Sequence, residues 1–203
     1  MYPDLHSPFW SKVSFLMIID LHVHTTNRSS DSSLSTQELI DEALRIGLQG
    51  ACLTEHGGLW DAFEFERIIG DTRGIVLIPA IEVSTDMGHV TVFGLERYTS
   101  GISKLAELRQ VADATGAYLV LAHPFRNLLA RSPYNPNLLY DDPAKYPRTP
   151  EEAADHPALM MVDAIEVANS GNSKDENMFA WEVARYLGKP MVGGSDAHSV
   201  HGL

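Results

Sequence analysis

Two histidines, His22 and His24, stand one residue apart just after the apolar run 15–19, and together they could bind a metal ion. The run is short and rich in large apolar residues, which is typical of a buried β-strand. Side chains on a strand alternate between its two faces, so both imidazoles would point to the same side, roughly 7 Å apart along the chain. An isolated pair of this kind is a weak signal, because histidines also occur by chance in cores and turns.

Residues of metal-binding types also follow most of the other apolar runs. Glu82 comes directly after residues 75–81, where an unpaired buried carboxylate would cost several kcal/mol, so a ligand role is favoured. Asp196 and His198 repeat the spacing of the first histidine pair at the other end of the chain. The candidate metal ligands are His22, His24, Asp31, His56, Glu82, His123, Asp196 and His198.

Some of these candidates also have a structural interpretation. Asp31 lies in a polar loop and could cap the following helix, and His56 and His123 could be core histidines at strand ends. Taken together, the number of candidates near strand ends favours metal binding.

The combined ligand types indicate which metals and which reaction to expect. Imidazoles and carboxylates without thiolates suit Zn, Mn or Fe rather than Ca or a cysteine-type zinc site. Eight ligands exceed the needs of one ion, so two or three divalent ions are expected, with Glu82 as a bridging carboxylate. Such a cluster lowers the pKa of a bound water to form hydroxide and holds a substrate oxyanion. We therefore predict hydrolysis of a phosphate ester, with Glu82, His123 and Asp196 as catalytic residues.

Composition limits the partners and the compartment. Fifteen Lys and Arg residues against 27 Asp and Glu residues give a net charge of −12, which argues against unassisted binding to long nucleic acid or to an anionic membrane. A small phosphorylated substrate, or a terminal phosphate, remains compatible with this charge. The single Cys52 excludes an intrachain disulfide and fits a reducing compartment, so a cytoplasmic location is expected. No apolar run has the length of a membrane span.

The elements that must position these residues are seven predicted strands that mostly alternate with helices. This alternation is typical of an α/β fold with parallel strands covered by helices. Candidate polar residues end six of the strands, and only a barrel brings so many strand ends together, whereas an open sheet has a single crevice. We predict a loose leader over 1–16 and one barrel domain over 17–203. Helices are predicted over 102–115 and 150–161, and a loop over 126–150 is expected to cover the site.

Five short motifs in this order resemble those of the PHP (polymerase and histidinol phosphatase) family. They are Asp20-Leu21-His22-Val23-His24-Thr25, Thr54-Glu55-His56, Glu82-Val83-Ser84, Ala122-His123-Pro124 and Gly194-Ser195-Asp196-Ala197-His198. The resemblance covers residues 17–198. It implies a distorted seven-stranded (β/α)7 TIM-like barrel with up to three metal ions at its carboxyl-terminal face. Members of the family include histidinol phosphatases, small-nucleotide phosphoesterases and domains attached to bacterial DNA polymerases.

The resemblance also implies how the ligands are shared among the ions. The first ion would be held by His22, His24, Glu82 and Asp196. The second would be held by Glu82 and His123, and the third by Asp31, His56 and His198. The second ion has the fewest ligands, because some members have a further histidine at the end of the fourth strand and this chain offers Glu96 there. We predict that Glu96 is an exposed loop residue and that His89, at the start of that strand, is structural and lies at the opposite end of the barrel.

Other residues depart from the family pattern or extend it. The usual Thr-Asp-His is Thr54-Glu55-His56 here, which is expected to matter little, because His56 is the ligand. Glu166 and Asn169 match a common element whose expected role is a hydrogen bond to a ligand. Arg126 and Arg28 are candidate substrate-binding residues whose planar guanidinium groups could each donate two hydrogen bonds to a phosphate, although each could also be a solvated surface charge.

The predicted function is a metal-dependent phosphoesterase that uses a di- or trinuclear cluster on a small phosphorylated metabolite or nucleotide. One alternative is an exonuclease-like activity on oligonucleotide ends, against which the acidic charge stands. Another is a non-catalytic barrel that only binds metal. A deaminase- or amidase-type metal barrel is a weaker alternative.

Overall fold

The computed structural model describes residues 17–69, 72, 74–96, 101–129 and 136–203. Within them, one sheet holds seven strands, each next to its neighbour in chain order. The strands are β1 (Ile19–Val23), β2 (Gly50–Glu55), β3 (Val76–Thr85), β4 (Gly88–Phe93), β5 (Tyr118–Leu121), β6 (Ala164–Asn169) and β7 (Met191–Gly194). The predicted leader, 1–16, lies outside the described residues.

The sheet curves until its two edge strands meet. Just after β7, Ala197 pairs with Val23 of β1 in a parallel bridge. The amide of His24 donates to the Ala197 carbonyl at 3.0 Å, and the amide of Asp196 donates to the His22 carbonyl at 2.7 Å. These contacts nearly close the sheet at the carboxyl end of β1, so the predicted single-domain α/β barrel is confirmed.

One strand runs against the expected parallel direction. β4 pairs antiparallel with both β3 and β5, while the other neighbouring strands are parallel. Only Asp86 and Met87 separate β3 from β4, and a connection of two residues can join antiparallel strands but is far too short for a parallel crossover. The start of β4 therefore lies beside the end of β3, where Ser84 pairs with His89.

Six helices cover the described part of the barrel. They are α1 (Thr36–Ile46), α2 (Ala62–Ile69), α3 (Leu105–Thr115), α4 (Pro150–Ala154), α5 (Pro157–Met161) and α6 (Lys174–Leu187). α1 begins with a capping box in which Ser35 and Glu38 bond to each other's backbone amides.

The helix predicted over 150–161 is two short helices in the structure. Proline has no amide hydrogen and disfavours a helical backbone at the residue before it, so Pro157 ends one helix and begins another. The preceding His156 has an extended backbone, and its ring accepts a hydrogen bond from Ala158 N. The helix predicted over 102–115 begins three residues later, at Leu105.

Apolar side chains between the sheet and the helices form two core regions. One lies between β3–β6 and helices α3, α5 and α6, and includes Leu108, Leu119 and Val183. The other lies between β1–β3 and helices α1 and α2, and includes Leu39 and Leu53. Among the described residues, no helix has both the length and the apolar character needed to cross a membrane.

Candidate metal centre

All eight predicted metal ligands lie together at the carboxyl end of the barrel. Their donor atoms fall into overlapping groups, in each of which the atoms lie within 4.8 Å of one another. The groups are His22, His24, Glu82 and Asp196; His24, His56 and His198; and Glu82, His89 and His123. Asp31 faces the second group, with Oδ2 3.5 Å from Nε2 of both His56 and His198.

Glu82 is the residue common to most of these contacts. It is 3% exposed, and its two carboxylate oxygens lie within 3.4 Å of ring nitrogens from His22, His24, His56, His89 and His123. Burial alone would raise the pKa of Glu82, but positive charge on His22 and hydrogen bonds from the histidines outweigh it and hold the pKa well below its usual value. A carboxylate placed in this way can share its oxygens between neighbouring cations.

The closest pair of ring nitrogens tests whether the site suits a metal ion. Nε2 of His22 and Nε2 of His24 lie 3.0 Å apart, and Asp196 Oδ1 lies 3.2 Å from the second. Two facing nitrogen lone pairs repel unless a proton or a cation lies between them. Four donors from two imidazoles and two carboxylates converge here, which is a set that fits a divalent transition metal.

The electrostatics of the site favour positive charge. Burial lowers the pKa of His22 and His24, but the carboxylates of Glu166, Glu82 and Asp196 outweigh that effect and raise the pKa of both imidazoles. Burial raises the pKa of Asp196, but the neighbouring histidines lower it further and hold it well below its usual range.

Backbone geometry also distinguishes this end of the barrel. His123 has a φ of 30° and Asp196 a φ of 56°, both in the left-handed region that side-chain-bearing residues rarely adopt. Each follows the end of a strand, β5 or β7, and each turns its side chain toward Glu82 or the first histidine pair. Strained conformations of this kind concentrate at functional sites.

Two residues of β6 hold the candidate ligands in place. Glu166 Oε1 lies 3.1 Å from His22 Nδ1, and Oε2 accepts a hydrogen bond from the backbone amide of His123 at 2.6 Å. Asn169 donates to Glu166 Oε2 at 2.9 Å. Glu166 therefore makes the hydrogen bond expected of it, and Asn169 acts on the candidate ligands through Glu166.

The two predicted substrate-binding arginines both contact carboxylates. Arg126 Nη2 donates to Asp196 Oδ2 and to Asn169 Oδ1, each at 2.6 Å, and its side chain is 26% exposed. Arg28 forms an ion pair with Glu64 and lies over the Trp60 ring, 5.6 Å from its centre. Their role in substrate binding remains a prediction.

His89 does not lie where the sequence places it. We predicted a structural histidine at the far end of the barrel, but its Nδ1 lies 3.0 Å from Glu82 Oε1, beside His123. The reason is the direction of β4, whose start adjoins the carboxyl end of β3. The short connection of Asp86 and Met87, followed by Gly88, was a hairpin signal in the sequence and could have revealed this position. Glu96, beyond the other end of β4, is exposed, as expected.

Two protein-family models match the sequence of this chain. The PHP domain model matches residues 20–161, and the model described as PHP-associated matches residues 174–203. The chain therefore belongs to the PHP domain family.

Two curated relatives are DNA polymerase chains that are much longer than this chain. The error-prone DNA polymerase of Nocardia farcinica is 28% identical over 95 residues, which are 47% of this chain and 7% of that protein. The DNA polymerase III subunit alpha of Treponema pallidum is 26% identical over 210 residues, which are 90% of this chain and 18% of that protein. The chain thus spans less than a fifth of either relative.

Solved structures with the same fold have low sequence identity to this chain. A proposed metal-dependent phosphoesterase from Bifidobacterium adolescentis has a TM-score of 0.66 at 15% identity, over 90% of this chain and 88% of that one. An amidohydrolase from Chromobacterium violaceum, solved with bound sulfate and no metal, has a TM-score of 0.63 at 18% identity, over 89% and 87%. The lesion-specific endonuclease Q of Pyrococcus furiosus has a TM-score of 0.53 at 19% identity, over 91% and 49%.

Proposed function

We propose that this chain is a metal-dependent phosphoesterase that hydrolyses the phosphate ester of a small phosphorylated metabolite or nucleotide. The observation that carries the proposal is the set of overlapping donor groups joined through Glu82. Overlapping groups would hold two or three divalent ions close together, which is an arrangement suited to hydrolysis of phosphate esters. The match to the PHP domain family supports the same reaction class.

The candidate ligands divide into one group for each ion. The first ion would be held by His22, His24, Glu82 and Asp196, the second by Glu82, His89 and His123, and the third by Asp31, His56 and His198. Bound ions of Zn, Mn or Fe would supply an activated water and positive charge opposite the phosphate oxygens. We propose Glu82, His123 and Asp196 as catalytic residues, because Glu82 belongs to two of the groups and His123 Nε2 lies 3.1 Å from Glu82 Oε1 and 3.8 Å from Asp196 Oδ2.

The remaining residues of the site orient these donors and the substrate. Glu166 holds the ring of His22 and the backbone of His123. Arg126 holds one oxygen of Asp196 while the other faces the histidine pair. Because Arg126 is also partly exposed, we propose that it contacts a phosphate oxygen of the substrate, with Arg28 at the edge of the site in a similar role.

Charge favours a small substrate over a long one. A net charge of −12 opposes the approach of a long polyanion, whereas one phosphate can be neutralised by the bound ions themselves. The single, buried Cys52 suits a reducing compartment, which supports the proposal of a cytoplasmic location.

A second candidate function is hydrolysis at the end of a nucleic-acid strand. It is favoured by the relation to a DNA polymerase III subunit alpha and by the shared fold with endonuclease Q. An amide substrate is a third candidate, which the shared fold with an amidohydrolase favours.

Rates on matched substrates would separate these functions. The protein, loaded in turn with Zn, Mn or Fe, would be assayed on p-nitrophenyl phosphate, nucleoside monophosphates, short oligonucleotides and p-nitroacetanilide. We expect metal-dependent hydrolysis of the monoesters. Faster release of nucleotides from oligonucleotides would support the second candidate, and reaction of the anilide alone would support the third. No hydrolysis of any phosphate ester by protein with bound metal would contradict the proposed function.

A further inference from the structure

Glu55 is fully buried at the end of β2 and is not among the candidate metal ligands. Its carboxylate accepts three hydrogen bonds from the loop after β1. The amide of Thr25 donates at 3.0 Å, the Thr25 hydroxyl donates to Oε1, and the Ser29 hydroxyl lies 2.6 Å from Oε2. Three donors from one loop thus converge on a single buried carboxylate. Glu55 therefore fixes the loop that follows His24.

The hydroxyl of Ser29 has three neighbours, and only one arrangement of hydrogens satisfies them all. Ser29 Oγ lies 2.6 Å from Glu55 Oε2, 3.1 Å from the amide of His56 and 3.2 Å from Nδ1 of His24. The hydroxyl has one hydrogen, and the carboxylate is a pure acceptor, so that hydrogen goes to Glu55. The oxygen must then accept from both remaining neighbours. Nδ1 of His24 therefore carries the proton.

This tautomer has a direct consequence for the candidate metal centre. With the proton on Nδ1, Nε2 of His24 presents a lone pair. That nitrogen lies 3.0 Å from His22 Nε2, 3.2 Å from Asp196 Oδ1 and 3.3 Å from Glu82 Oε2. A metal ion needs this lone pair, and partners on the second ring nitrogen generally set which tautomer a ligand histidine adopts.

We propose that Glu55 is a positioning residue that acts through Ser29 to fix the metal-binding tautomer and the ring orientation of His24. The inference rests on the proposed function only in that ions bind at His24. This role was not predicted from the sequence, where the exchange of the usual aspartate for Glu55 was expected to matter little. From this backbone position, an aspartate carboxylate would stop about 1.5 Å short of the loop.

Glutamine at position 55 gives the sharpest test. Its side chain has the length of glutamate, but its amide nitrogen would donate a hydrogen bond to Ser29, whereas Glu55 accepts one. If its amide nitrogen faces Ser29, the serine oxygen accepts from that amide and from His56, and its own hydrogen turns to Nδ1 of His24. The proton of His24 then moves to Nε2. We expect Glu55→Gln to shift the imidazole nitrogen resonances of His24 to the Nε2-protonated pattern in 15N-histidine-labelled, metal-free protein, measured at an alkaline pH at which the ring is neutral. Zinc affinity, measured by competition with a chromogenic chelator, should fall about 10- to 100-fold.

Glu176→Gln is the matched control. Glu176 is also buried, at 4% exposure, and accepts hydrogen bonds from the amides of Leu129 and Ser173 at the start of α6, without contacting a candidate ligand. This variant should leave zinc affinity and the His24 resonances unchanged. Equal losses of affinity in both glutamine variants would mean that Glu55 only stabilises the fold, and would overturn the proposal.

Ser29→Ala tests whether Glu55 acts through the serine. This variant should also weaken zinc binding. Adding Glu55→Gln to it should lower the zinc affinity little further, because Glu55 cannot act on His24 once the Ser29 hydroxyl is absent. Independent, additive losses would overturn the proposal, as would unchanged zinc affinity in Ser29→Ala. If the Glu55→Gln variant does not fold, the zinc affinity of Ser29→Ala alone tests the proposal. Both readouts are independent of turnover, so a failure to hydrolyse phosphate esters would contradict the proposed function without affecting this inference.

Discussion

At the scale of single residues, the candidate metal centre depends most on Glu82. Five histidines approach it, from β1, from the ends of β2 and β5 and from the start of β4, and both of its oxygens face imidazoles. Removing its negative charge would leave several imidazoles without a counter-charge in a buried space. The loss should therefore affect metal binding more than that of any other single ligand.

We expect Glu82→Gln to lose more than one bound ion per chain and to lower phosphoesterase activity at least about 100-fold, because the amide cannot neutralise or share two cations. Elemental analysis and initial rates would measure the two effects. Glu96→Gln, which alters an exposed glutamate beyond the far end of β4, is the control and should match the unaltered protein. Full metal content with normal turnover in Glu82→Gln would contradict the proposed mechanism.

His89 is predicted to affect one ion only. It contacts Glu82 Oε1 beside His123 and does not belong to the donor group of His24, His56 and His198. We expect His89→Ala to lower the metal content by about one ion per chain and to leave the remaining ions bound at their original affinity. Zinc titration followed by elemental analysis would show this. An unchanged number of bound ions in His89→Ala would show that His89 is not a metal ligand.

The residues of the site were predictable from the sequence to different degrees. Glu82 and the pair His22 and His24 could be found, because their types and their places after apolar runs are visible in the chain. His89 was not placed correctly, because its position depends on the direction of β4, and the alternation of strands and helices was taken to mean parallel strands throughout. The hydrogen bonds of Arg126 to Asp196 and of Glu55 to Ser29 join distant parts of the chain, and spacing alone does not reveal them.

At the scale of elements, the contact between β7 and β1 positions the first histidine pair. A Cβ atom at Gly194 would lie 2.3 Å from the Cβ of His22 and 2.9 Å from Glu166 Oε1. There is thus no space for a side chain where the barrel closes. The adjacent Gly193 differs, because a Cβ there would come no closer than 3.4 Å to Ala168.

We expect Gly194→Ala to lower the free energy of unfolding by about 1–3 kcal/mol, because β7 or His22 must move to make room. Gly193→Ala should change it by much less. Urea unfolding of both variants in the presence of a chelator would measure the difference without a contribution from metal binding. Similar stabilities for the two variants would show that the barrel closes less tightly than these distances indicate.

Element boundaries were predicted best where the signal is local. Ser35 and Glu38, three residues apart just before the apolar residues of α1, are a local signal that can be read in the sequence, and their capping box begins α1 in the structure. The break between α4 and α5 at Pro157 was also a local signal, which the prediction of one helix over 150–161 did not use. The pairing of Ala197 with Val23 that nearly closes the barrel joins residues at opposite ends of the chain. It could be inferred only indirectly, from the need to bring the strand ends together.

At the scale of the whole molecule, the metal centre links stability to pH. The lowered pKa values of Glu82 and Asp196 stabilise the metal-free fold above the usual carboxyl pKa, and this contribution is lost as the pH falls through the lowered values. The raised pKa values of His22 and His24 act in the opposite direction. Their contribution is complete below the ordinary histidine pKa of 6.5 and is lost as the pH rises through the raised values.

Metal binding should offset this loss of stability at alkaline pH. Ligand imidazoles must be deprotonated to bind an ion, so zinc affinity rises with pH over the range in which the metal-free protein loses its stabilising protons. An ion present at about 100 times its dissociation constant adds about 2.7 kcal/mol to the free energy of unfolding. We therefore expect the difference in melting temperature between zinc-loaded and chelator-treated protein to widen as the pH rises above the ordinary histidine pKa of 6.5, to about pH 8 and beyond. Thermal unfolding at several pH values with and without chelator would measure it. A difference that stays constant or narrows toward pH 8 would show that zinc does not replace protons on these imidazoles.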